Sequence, residues 1–105
     1  MTTFDNRENA FENKYAHDEE MQFKARMRRN RFMAVWASTL KGESVETARS
    51  FGQELVHADL QHVSEDDVVD AVVDYLGDLA DKDTVIAKMS ELMTVAKDQI
   101  MSELP

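Results

Sequence analysis

Residues 85–100, VIAKMSELMTVAKDQI, decide the fold class. Val85, Met89, Leu92, Met93, Ala96 and Ile100 recur at i, i+4, i+7, i+8, i+11 and i+15, one apolar stripe along a helix. The spacing predicts a helix from about Asp83 or Thr84 to Glu103. Just upstream, Val68, Val69, Val72, Val73, Leu76 and Leu79 come as apolar pairs separated by Asp70-Ala71 and Asp74-Tyr75. That period is helical despite valine's strand preference. Ser64-Glu65-Asp66-Asp67 approximates a capping box that starts this segment, with Asp in place of Glu.

Two further helices follow towards the N-terminus. One runs from about Asp18 to Leu40, with Asp18, Glu19 and Glu20 in its first turn and Lys41-Gly42 at its end, the charge order a helix dipole favours. Phe32, Val35, Trp36 and Leu40 are expected to supply its share of the core. The next starts at Ser44 as N-cap and ends near His62, with Val45, Ala48, Gly52, Leu55 and Val56 as its inner stripe and Phe51 beside it. Short connections favour antiparallel neighbours, so the expected fold is an all-α four-helix bundle over residues 18–105.

The totals agree with that class. The chain has 105 residues, three glycines and one proline, Pro105, which leaves little material for turns between strands. It has no cysteine, so neither disulfides nor thiolate chemistry are available. The N-terminus is polar and acidic, unlike a signal peptide, and the longest apolar run, Met33 to Ala37, falls far short of the ~20 residues a bilayer span needs. A soluble cytoplasmic protein with no direct membrane insertion is expected. The net charge of −9 argues against nucleic acid as partner. It is unevenly spread: residues 1–20 carry −4, residues 21–41 carry +6 and residues 42–105 carry −11.

Residues 1–17 stand apart. Phe4, Phe11 and Tyr15 fall at i, i+7 and i+11, one face of a helix if one forms, flanked by Asp5, Arg7, Glu8, Asn9, Glu12 and Lys14. So thin a stripe on so short a segment is marginal without support, and a flexible arm is expected. Two readings stand. The segment folds back on its own bundle, or its aromatics anchor in a groove of another protein while the flanking charges fix register.

The dense basic block, Lys24, Arg26, Arg28, Arg29 and Arg31, also has two readings. It neutralises the acidic helices internally, or it docks an anionic protein surface. Weak adenine-nucleotide contact through Lys24, Arg28, Arg29 and Arg31 is a lesser alternative, because no Gly-rich phosphate loop accompanies them. His57 and His62 are five apart and do not share a helical face as i,i+4 ligands would, so neither metal nor cofactor is expected. Asp66, Asp67, Asp70, Asp74 and Asp78 form a solvated face without a nucleophile–base pair, and an enzyme is not expected.

One string is more specific than any of these patterns. Residues 4–20, FDNRENAFENKYAHDEE, followed by Phe23-Lys24-Ala25, Arg28-Arg29-Asn30, Trp36-Ala37, Ala87-Lys88-Met89 and Leu92, closely resemble the zeta subunit family, natural inhibitors of the alpha-proteobacterial F-type ATP synthase. Tyr15 stands where the family pattern has Phe, Asn6 where it has Asp and Met27 where it has Ala. The resemblance implies a non-catalytic inhibitor of ATP hydrolysis. Its arm would enter a catalytic alpha/beta interface of the synthase head as a helix, directed towards the central rotor. It also implies that Phe4 through Tyr15 form the inhibitory segment and that the bundle from about Asp18 is the anchor. The location implied is cytoplasmic, peripheral to the inner membrane through the synthase.

Overall fold

The computed structural model describes residues 3–60 and 65–104, with side chains from residue 7 onward. Among them the structure is all-helical: α1 Thr3–Tyr15, α2 Glu19–Leu40, α3 Val45–Leu60, α4 Glu65–Leu76 and α5 Lys82–Glu103, with a single 3-10 turn at Gly77–Leu79 after α4. The expected end near His62 and the expected Ser64 cap lie outside the described residues.

The ends that could be read from side-chain chemistry fall where that chemistry requires. Asp18 caps α2, its Oδ1 accepting from the Met21 N–H at 3.1 Å. Gly42 takes φ +70 and turns the chain out of α2. Ser44 Oγ accepts from the Thr47 N–H at 3.2 Å and opens α3. The last helix starts earlier than its apolar stripe suggests. Asp81 is the N-cap, accepting from the Thr84 N–H at 2.8 Å, so Lys82 and Asp83 are already helical.

α2 and α5, 22 residues each and so about 33 Å long, run through the whole molecule. They carry two separate cores. The main one gathers Met33, Ala34 and Ala37 from α2, Phe51 and Leu55 from α3, Val68, Val69, Val72 and Leu76 from α4, and Val85 and Met89 from α5. Tyr75 stacks on Phe51 at 3.9 Å between centroids, and its hydroxyl meets Ser38 Oγ at 3.1 Å. The second core is smaller: Phe11 of α1, Ala25 of α2 and Ile100 of α5, edged by Tyr15, Met21, Met93 and Met101.

Four expectations about the inside need correction. Val35 and Leu40 of α2 are exposed, as is Val45 of α3, and Trp36 is only half-buried at the margin of the main core, with Lys88 Nζ 5.7 Å from its ring. α3 is rotated about its axis relative to the expected stripe, so that Phe51, Gly52 and Leu55 face inward while Val45 and Ala48 line an open groove. Leu79 leaves the α4 stripe because the 3-10 turn swings it into solvent. Lastly, residues 1–17 were expected as a flexible arm that either folds back on the bundle or meets a partner; the structure has Thr3–Tyr15 helical and packed on α5.

Candidate functional site

The face of α1 that meets α5 is built from residues three and four apart: Glu8, Phe11, Glu12 and Tyr15. Phe11 is 0% exposed, wedged against Ala25 and Ile100, with the Tyr15 ring tilted at 58° and 5.1 Å away. Polar contacts from α5 surround that wedge. Lys97, 9% exposed, pairs with Glu12, reaches Glu8 at 3.9 Å and sits 5.7 Å from the centroid of the Phe11 ring. Thr94 Oγ1 donates to Glu8 at 2.7 Å. Arg7 pairs with Asp98 at 3.3 Å and donates to Ser102.

Glu12 Oε1 and Asp98 Oδ1 are buried, and among the described residues the groups that meet them are cations, Lys97 and Arg7 respectively. Asn9, Asn13 and Lys14 point away from α5 and are exposed, Lys14 lying 5.4 Å from the Tyr15 ring. The side chains of Phe4 and Asp5 lie outside the described residues. Ala16, His17 and Asp18 form the exposed link to α2, and Gln22 Nε2 donates to the Tyr15 carbonyl at 3.0 Å to close the corner.

The basic block of α2 does not converge on one site. Arg28 forks onto Glu103 at 2.6 and 2.9 Å. That hydrogen-bonded pair raises the Arg28 pKa and holds the Glu103 carboxyl below the ordinary carboxylate range, with the charge of Arg28 and then of Lys24 adding to the latter. Arg29 is buried. It donates to Glu65 at 3.0 Å and to Asn30 at 3.1 and 3.2 Å, and it lies 3.5 Å from Asp59. Asn30 in turn donates to Asp59 at 2.8 Å, and Arg26 approaches the same carboxylate at 3.7 Å. The end of α3 and the start of α4 are thus both held to the middle of α2. Of the expected anion contacts Lys24, Arg28, Arg29 and Arg31, two are committed to internal carboxylates, and Arg31 points into a groove between α2 and α3.

Thr94, Lys97, Asp98 and Ser102 were not anticipated from sequence. The available signal was the position of Lys97 beside Ala96 and four residues after Met93, at the border of the apolar stripe, where a lysine is expected to bury its stem. Among the described residues no three His, Asp or Glu side chains stand as a metal cluster, and no helix is long and apolar enough to cross a membrane.

What the described residues present is a small all-helical protein whose polar side chains hold helices to one another. The model of the family "ATPase inhibitor subunit zeta" matches residues 1–99, and the chain belongs to that family. It is therefore a regulatory, non-catalytic subunit by family, and the ATP synthase is its partner. The chain has no match among curated proteins or among solved structures.

Proposed function

We propose that the chain blocks ATP hydrolysis by inserting α1 as a helix into a catalytic alpha/beta interface of the F-type synthase head, directed towards the central rotor. α2–α5, over residues 18–105, form the four-helix bundle that stays behind as the anchor. The observation that carries this reading is the separation of the two cores. Among the described side chains the main one contains none from α1, so those of α1 can leave without opening it. Departure exposes one large ring, Phe11, at a cost of about 1.5–3 kcal/mol. The same ring is then free to fill a pocket of comparable worth in the head.

On this reading Phe4, Asp5, Arg7, Glu8, Asn9, Phe11, Glu12, Lys14 and Tyr15 contact the head. Arg7, Glu8 and Glu12 exchange their contacts with α5 for contacts there, and Asn9 and Lys14 need no release. The tyrosine hydroxyl at position 15 requires water or a polar group in the groove. The protein acts in the cytoplasm, peripheral to the inner membrane through the synthase. The alternative of a nucleotide-binding module is disfavoured by the commitment of Arg28 and Arg29 to Glu103, Asp59 and Glu65.

Deleting residues 1–17 tests the proposal. The truncated chain is expected to keep the helical circular dichroism of α2–α5 and to lose inhibition of the purified head. Undiminished inhibition would refute it.

A further inference from the structure

Among the described residues two arginines of this acidic chain have no carboxylate partner. Of its twelve Lys and Arg residues, nine have a carboxylate ion pair or an aromatic ring as partner, and Lys24 feels Glu103. Among the described residues only Arg31 and Arg49 have neither. They sit on different helices, α2 and α3, and line the same open groove of about 680 Å³. Its apolar lining includes Val35, Val45, Val56 and Leu60. Val35, Val45 and Leu60 are 55%, 71% and 51% exposed, half of the large exposed hydrophobics among the described residues. Among the described residues no carboxylate lines the groove, although the chain has 21 acids.

An isolated exposed valine needs no explanation; three large apolar residues gathered between two unpaired cations do. We propose that this groove docks an amphipathic helix of another protein, whose apolar stripe covers the valines and Leu60 and whose flanking carboxylates meet Arg31 and Arg49. The dimensions suit that occupant. From Val45 to Leu60, α3 offers about 22 Å, four turns of a helix lying alongside it. A second copy placed face to face would set each pair of arginines against its own kind, and the absence of carboxylates in the groove would leave that repulsion unrelieved. None of the described α1 side chains lines the groove, and the proposal does not depend on the inhibitory reading.

The test uses the isotope-labelled full chain and two synthetic helical peptides of about 18 residues. Both carry one leucine stripe, flanked in one peptide by glutamates and in the other by lysines. The glutamate peptide is expected to shift the amide signals of residues 31–35 and 45–60 and to bind at least about tenfold tighter than the lysine peptide. The double variant Arg31→Glu, Arg49→Glu should reverse that preference with an unchanged circular dichroism spectrum. Four results would overturn the proposal: no shift by the glutamate peptide at millimolar concentration; equal binding of the two peptides; ATP moving the same amides more strongly than the glutamate peptide; or self-association by sedimentation that the double variant abolishes, which would assign the groove to a second copy.

Discussion

Lys97→Met separates the docking of α1 from its proposed action on the synthase, because it changes neither the sequence of α1 nor the main core. The methionine keeps an apolar stem against Phe11 and removes only the charge that faces Glu8 and Glu12. A hydrogen bond or ion pair to a charged group contributes about 1.5–3 kcal/mol when buried. The side chains of Glu8 and Glu12 are 30% and 41% exposed, which reduces the loss to about 1.4 kcal/mol. That is about a tenfold shift of the docked–undocked equilibrium of α1. Where docking precedes inhibition as a competing state, the undocked form is the competent one and its population sets the onset rate. Lys97→Met is therefore expected to inhibit ATP hydrolysis by the purified head faster than the parent chain, by up to about tenfold, while the amides of α1 exchange hydrogen faster by the same factor. Unchanged exchange would remove Lys97 as the latch. Faster exchange with unchanged onset would refute the idea that the docked helix is the resting form of the inhibitory segment. Phe11→Ala is a poorer probe, since it loosens docking and removes the proposed anchor together.

Three other outcomes follow from the packing and charges. Asp59→Ala strips a carboxylate from the buried Arg29 and is expected to cost about 3 kcal/mol, measured by urea denaturation; a loss within 0.5 kcal/mol, the usual size of a surface change, would show that Glu65 alone satisfies the guanidinium. Met33→Ala should cost about 2–5 kcal/mol, whereas Val35→Ala, two residues along the same helix, should stay within about 0.5 kcal/mol; similar losses would contradict the orientation of α2. Acid should weaken the fold in part through Glu103 and Asp81. The fork from Arg28 holds Glu103 below the ordinary carboxylate range, and Thr84, through its side chain and its backbone N–H, does the same for Asp81. Both contributions are complete above the unfolded-state values and are lost as pH falls through the lower folded-state ones. Glu103→Gln should flatten part of that decline in a pH series of denaturation midpoints, and an unaltered profile would contradict the assignment.

Much of the helical framework was legible because it is written locally. Asp18, Ser44 and Gly42 act within a turn of their own position, and the α4 and α5 stripes are long enough to fix which face is buried. α3 was harder. Val45, Ala48, Gly52, Leu55 and Val56 make one plausible stripe, and Phe51, Gly52 and Leu55 make another that shares Leu55 but is turned towards Phe51. Only the approach of α2 and α4 chooses between them. The N-terminal helix shows the same limit at longer range. Its aromatic face was visible, and folding back on the chain's own helices was one of its two readings. What holds it, Lys97, lies some 85 residues away in an unremarkable part of an amphipathic stripe. No local pattern announces that pairing, since ion pairs of this kind are fixed by how helices meet. The dispersal of the basic block has the same origin: Arg28 and Arg29 find their carboxylates on α3, α4 and α5, as their positions on α2 dictate.

The stacking of two cores along α2 and α5 gives this small protein a tuning dial separate from its chassis. Substitutions among Tyr15, Met21, Met93 and Met101 alter how firmly one end is shut and touch none of the residues that keep the other end folded. Tyr15 already occupies one of those rim positions. On the proposed reading of α1, inhibitory readiness is free to drift or be selected across a wide range while the melting behaviour of the molecule scarcely moves.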